Sequence, residues 1–149
     1  MENLKDFLEK VNRSTLTNDE IKMLNGSKLA YIGDAVYEYY IRTYLMHEYK
    51  THVNALNKKS ISLVKAQAQA RAVEFLKTEL TEEEWSIVLR GRNMKTSTPA
   101  KNASLKDYKM ATGWEALIGA LYLRNEKERM ENLIVMAINF LDPEVKSGH

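Results

Sequence analysis

The stretch Leu29-Ala30-Tyr31-Ile32-Gly33-Asp34-Ala35-Val36-Tyr37-Glu38 decides how the chain folds. It has no proline and one glycine. Leu29, Ile32, Val36 and Tyr40 recur at spacings of three and four, which makes one continuous apolar stripe on a helix. Directly after Gly33, this run carries a carboxylate, Asp34. A charge beside a buried stripe costs free energy unless it is paired or holds a cation. On helix pattern alone, the simpler reading is that Asp34 faces water or accepts a hydrogen bond from another helix.

Working outward, Leu4, Phe7, Leu8 and Val11 predict a short amphipathic helix. Asp19 is a candidate cap for a second, carrying Ile21 and Leu24 and ended by Asn25-Gly26. Ser27 is the expected cap of the central helix, which runs to about Tyr49. A short helix from Thr51 or His52 bears Val53 and Leu56, and another from near Ser60 carries Leu63, Val64, Ala70, Val73 and Leu76. The small residues of its Ala66–Ala70 run point to a tight intramolecular contact. Thr81-Glu82-Glu83-Glu84 is a capping box opening a helix with Trp85, Val88 and Leu89, which Gly91 is expected to end. Arg92 to about Lys106 reads as a loop, and loops of that length in compact domains usually carry function. Two more helices follow, one around Glu115 and one from about Glu126 to Leu141, with the tail to His149 frayed. No alternating strand pattern and no repeat is present. The expectation is an all-α fold in one domain, residues 1–149.

Composition narrows the function classes. The 149 residues are 44% hydrophobic and 28% charged, ordinary for a soluble globular chain. No apolar run reaches the ~18 residues of a membrane span, and the N-terminus lacks a signal-like pattern. The expected location is the cytoplasm. The absence of cysteine excludes disulfides, thiol nucleophiles and thiolate zinc sites. His47, His52 and His149 show no ligand spacing. The net charge of +2 is too small to argue for nucleic acid, but its distribution says more. From Trp85 through Lys106 there is no acidic residue, while Arg90, Arg92, Lys95, Lys101 and Lys106 lie among Asn93, Asn102 and several hydroxyls. Charge attracts phosphate, and amides and hydroxyls shape the contact. No stacking aromatic lies among these basic residues, from Arg90 to Lys106, so single-strand recognition is disfavoured.

On the Glu115 helix, Trp114, Leu117, Ile118 and Leu121 share one face, and Glu115, Gly119 and Tyr122 a neighbouring one. Gly33 beside Asp34 and Gly119 one turn after Glu115 would let two helices approach more closely than the usual ~8–10 Å. That would bring two carboxylates together, and hard oxygen ligands select Mg²⁺ or Mn²⁺. The plainer alternative is that both glycines only relieve packing and Glu115 is exposed.

Three stretches tip this balance: Leu29–Glu38, Arg90-Gly91-Arg92-Asn93, and Trp114-Glu115-Ala116-Leu117-Ile118-Gly119-Ala120-Leu121-Tyr122-Leu123. In this order and spacing they resemble the catalytic domain of ribonuclease III, and more closely its small bacterial branch, Mini-ribonuclease III, which lacks a separate double-stranded-RNA-binding domain. The resemblance runs from about Leu24 to Leu141. It implies a compact helical homodimer acting as a Mg²⁺-dependent endoribonuclease (Mn²⁺ as substitute) that cuts both strands of double-stranded RNA. It implies Asp34 and Glu115 as catalytic metal ligands, and Arg90, Arg92, Asn93, Lys95 and Lys101 as RNA contacts. It places the dimer seam along Leu29–Tyr40, where Tyr31, Tyr37, Tyr39, Tyr40 and Tyr44 suit an interface. The family's usual task is maturation of 23S ribosomal RNA precursor ends, assisted by a large-subunit ribosomal protein. Ribonuclease III enzymes generally carry two further acids, where this chain has Ala30 and Thr112. The reduced pair matches the small branch. Glu38 stays outside the expected site. The alternative function is a non-catalytic duplex-RNA-binding or ribosome-assembly module of the same fold.

Overall fold

A computed structural model describes residues 2–95 and 104–143. Among the described residues the chain is all-helical: α1 (Glu2–Lys10), α2 (Asn18–Met23), α3 (Gly26–Glu48), α4 (Val53–Val64), α5 (Ala66–Leu76), a 3₁₀ turn (Lys77–Glu79), α6 (Glu82–Arg92), α7 (Leu105–Leu123) and α8 (Lys127–Leu141). The expected loop and the frayed tail fall mostly on residues 96–103 and 144–149, outside the described residues.

The centre is α7. Met110, Ala111, Gly113, Trp114 and every residue from Ala116 to Leu121 are buried, so the helix is apolar nearly all round and must be sheathed by others. It packs against α3, α6 and α5, with α8 closing over α5 and α7. A Cβ on Gly33 would lie 1.7 Å from the Glu115 carbonyl oxygen and 2.8 Å from the Gly119 nitrogen. One on Gly119 would lie 2.0 Å from the Leu29 carbonyl oxygen. The α3 and α7 backbones are therefore in direct contact, as the glycine placement predicts. Gly91 does not end α6: the helix continues to Arg92, and Gly91 serves instead as a contact point, where a Cβ would lie 2.7 Å from the Thr112 carbonyl oxygen.

Other boundaries shift for local reasons. Thr17 rather than Asp19 caps α2, through a capping box with Glu20. Asn25 rather than Ser27 caps α3, its side-chain oxygen accepting from the Lys28 nitrogen at 2.9 Å. The chain does not restart at Ser60. It breaks at Lys65, which takes an extended conformation between α4 and α5. The Thr81–Glu84 box forms as expected, and Glu84 also receives two bonds from Arg129, at 2.9 and 2.8 Å.

The tyrosines of α3 divide. Tyr37 is 1% exposed and meets Trp114 edge-on at 5.7 Å. Tyr40 donates to Glu131 at 2.5 Å, and Tyr44 donates to buried Asp142 at 2.7 Å. Tyr49 and Lys59 bind the same carboxylate, tying the end of α8 to α3 and α4. Tyr31 and Tyr39, at 84% and 68% exposed, are the two that face outward.

Gly33→Ala is expected to lower stability by about 3 kcal/mol or more, because the obstacle is backbone that cannot rotate away. In a domain of this size that is a fall in melting temperature of roughly 10 °C. Thermal denaturation checks it, and a melting point within about 2 °C of wild type would contradict the backbone contact.

Candidate active site

Asp34 follows Gly33 on α3, and Glu115 sits on α7 where the two helices touch. Both line an open cleft of about 590 Å³ with Ser27, Ala30, Tyr31, Glu38, Tyr108 and Thr112. Asp34 is exposed, whereas Glu115 is largely covered. Burial pushes the Glu115 carboxyl up to about 8, and the Asp34 carboxylate adds to this through its charge and a shared hydrogen bond. Gln69 opposes the shift: its side-chain nitrogen donates to Glu115 Oε2 at 3.2 Å. Helix geometry thus holds two carboxyl groups within hydrogen-bonding reach, one of them partly buried. This is the arrangement that the spacing of Gly33 and Gly119 predicts.

The residues present suit a hard divalent cation. Among the described residues no group of three or more His, Asp and Glu side chains converges. A pair of carboxylates suits an ion such as Mg²⁺, which commonly keeps several waters and takes only one or two protein ligands. Among the described residues no histidine lines the cleft. His47 sits near the end of α3 against the Thr43 carbonyl, and His52 precedes α4.

Residues 27–126 match the family model described as the ribonuclease III domain. The chain is 50% identical over 127 residues to Mini-ribonuclease 3 of Clostridium tetani, covering 85% of this chain and 84% of that one. It is 43% identical over 136 residues to Mini-ribonuclease 3 of a Thermoanaerobacter species, covering 91% and 94%. A crystal structure of a Fusobacterium nucleatum protein superposes with a TM-score of 0.72 at 33% identity, covering 80% of this chain and 95% of that one. The chain belongs to the ribonuclease III family. It is an endoribonuclease of that type, and its relatives place it in the Mini-ribonuclease 3 branch.

Membership gives the cleft its context. Ala30 and Thr112, the positions where ribonuclease III enzymes generally carry two more acids, line the same cleft as Asp34 and Glu115. Ala30 is 7% exposed, and the Thr112 hydroxyl donates back to the Tyr108 carbonyl at 3.0 Å. Glu38, one turn beyond Asp34 on the same face and left outside the expected site, also lines the cleft. Its carboxylate is paired with Arg42 at 2.9 Å.

Among the described residues, the expected RNA contacts are not part of this cleft. Arg92 and Asn93 line a separate one of about 400 Å³ with Glu74, Leu105, Lys106, Lys109 and Met110. Arg92 donates to the Asn93 side chain at 3.1 Å, and Lys95 is exposed. Arg90 is engaged inside the fold: it donates to the Lys22 carbonyl at 2.8 Å, closing the end of α2. Lys101 lies outside the described residues. From Lys109 to Glu115 is about 9 Å along α7, well within the span of one duplex. Gln69 escaped the sequence reading because an amide in an alanine-rich run looks like a surface residue. Its burial depends on the turn at Lys65.

The folded protein holds a proton on Glu115 up to about pH 8, while the unfolded chain releases it near 4.5. Stability from this group is full below the lower value and is lost as pH rises toward the upper one. Metal-free Glu115→Gln protein is expected to be more stable than wild type by roughly 1–3 kcal/mol at about pH 8, the gap closing by about pH 5. Chemical denaturation in chelator at both pH values measures it; equal stabilities at the higher pH would contradict a protonated Glu115.

Proposed function

We propose that this endoribonuclease cleaves double-stranded RNA with a divalent cation, Mg²⁺ or Mn²⁺, held between Asp34 and Glu115, and that it works as a homodimer. The observation that carries the proposal is the pair of carboxyl groups lining the α3–α7 cleft, with Glu115 pushed up by its partial burial and further by the neighbouring Asp34. A cation removes that repulsion and lets both acids ionise. When bound, such an ion supplies hydroxide at neutral pH and offsets charge on the scissile phosphate and the leaving oxygen. The chain's own groups hold and orient. Asp34 and Glu115 are acceptors, and among the described residues no histidine or lysine lines the cleft.

Two strands need two sites, and a twofold dimer provides them. The outward face of α3 supports a seam there: Tyr31 and Tyr39 are exposed next to the cleft-lining Asp34, Ala35 and Glu38. Tyr37, Tyr40 and Tyr44 are committed within the subunit and leave the interface to the other two. Duplex RNA is read mainly by shape, phosphates and 2′-hydroxyls. Arg92, Asn93, Lys95 and Lys101 are the proposed contacts, with Arg90 bracing α6, which ends at Arg92. The natural substrate we propose is the ends of the 23S ribosomal RNA precursor, with a large-subunit ribosomal protein assisting. That assignment rests on the family resemblance.

The test is incubation of long duplex RNA with protein whose sedimentation gives the mass of two chains. Fragments of both strands are expected in Mg²⁺ and none in chelator. Asp34→Asn is expected to slow cleavage by about a hundredfold or more, since the ion's charge stabilisation amounts to several kcal/mol. Undiminished cleavage by the variant would overturn the site. Separately, Arg92→Ala with Lys95→Ala is expected to weaken duplex binding and to reduce the slope of log affinity against log salt by about 2. An unchanged slope, measured by filter binding, would remove these residues from the interface.

A further inference from the structure

Gln69 lies four residues into α5 and is 3% exposed. Its side-chain nitrogen makes both bonds that its two hydrogens allow. One goes to the carbonyl of Val64, the last residue of α4, at 2.6 Å, and the other to Glu115 Oε2 at 3.2 Å. The amide oxygen is buried and has no protein partner among the described residues. Burying an amide only to fill space is costly, because a leucine or methionine would pack as well without an unpaired acceptor. The placement makes sense for a donor aimed at Glu115.

We propose that Gln69 is a positioning residue for the cation site: its amide fixes the rotation of the Glu115 carboxylate. The inference rests on the carboxylate–cation reading given above. The amide uses one lone pair of Oε2 and leaves the others for the cleft that Glu115 shares with Asp34. Its second bond anchors it to the break between α4 and α5, so the carboxylate is referenced to three helices: its own α7, α3 across the glycine contact, and α5 through Gln69. A neutral donor suits this place. It supports the ionised carboxylate without competing with a cation, as a lysine or arginine would. The Ala-Gln-Ala-Gln-Ala run and the alanine that follows it make the contact possible, since buried Ala68, Ala70 and Ala72 let α5 lie close enough to α7 for one amide to reach across.

Partners of this kind, which touch a ligand rather than the metal, are typically worth ten- to hundredfold in metal affinity or activity. Gln69→Met keeps the volume and removes the donor; Gln69→Ala removes both and cannot overpack. For each, Mn²⁺ binding to the protein without RNA is followed by electron paramagnetic resonance. Alongside it are measured kcat on duplex RNA, duplex affinity in chelator, and the melting temperature. The expected result is a loss of about ten- to hundredfold in Mn²⁺ affinity and in kcat, with duplex affinity unchanged. Mn²⁺ affinity and kcat within about twofold of wild type would overturn the role. So would losses in which duplex affinity and melting temperature fall in parallel, the pattern of a plain helix-capping residue. Asp34→Asn run alongside separates two failures. Unchanged Mn²⁺ affinity in that variant would overturn the carboxylate–cation reading and Gln69's role with it. Affinity lost in Asp34→Asn but kept in Gln69→Met would overturn the role of Gln69 alone.

Discussion

The structure depends on the backbone contact between α3 and α7. Helices separated by ordinary side chains would place Asp34 and Glu115 too far apart to influence each other. With Gly33 against the Glu115 carbonyl and Gly119 against the Leu29 carbonyl, the two backbones touch and the carboxyl groups share a hydrogen bond. The contact does two things at once. It seals the apolar centre around Trp114, Leu117 and Leu121, and it presents the acidic pair at its edge. Stability and site therefore rest on the same few atoms, so glycine at these positions is a geometric requirement. The same device recurs where Gly91 meets Thr112 and Gly113 meets Val88, bringing α6 onto α7.

Around that contact the polar residues fall into two kinds. Some close the fold. Asp142 collects Tyr44, Tyr49 and Lys59 at the end of α8, Glu84 serves both its capping box and Arg129, and Arg90 satisfies carbonyls at the end of α2. Each is a charged or phenolic group whose partners are inside the subunit. Others face outward: Tyr31 and Tyr39 on α3, Lys95 beyond α6, and Asp34, which meets Glu115 at the edge of the cleft. Sorting them this way matters because a list of basic residues or tyrosines overstates an interface. Three of five α3 tyrosines and one of the arginines are already engaged within the subunit.

Much of this was legible in the sequence. Apolar spacings of three and four gave the helices, the Thr81–Glu84 box gave the start of α6, and Gly33 and Gly119 beside carboxylates gave the central crossing and the cleft. What was misread was read locally. Gly91 has the chemistry of a helix stop, yet an intact helix runs through it because another backbone needs its missing side chain. Ser27 and Asp19 are good caps, but the neighbouring Asn25 and Thr17 occupy the cap positions. The break at Lys65 rather than near Ser60 has no strong sequence mark.

By itself the sequence determined the periodicity, the capping box that opens α6 and the pairing of glycine with acid. These depend on neighbours within one or two turns of the chain, and local sterics and hydrogen bonding act at that range. Only the tertiary structure decided which polar side chains turn inward. Tyr37 and Tyr39 are two residues apart and chemically identical, yet one is sealed against Trp114 and the other faces out. Gln69 and Gln67 differ in the same way, and Gln69 alone is buried and reaches Glu115. Burial is set by what packs opposite, and residues 46 positions apart meet only after the helices have crossed.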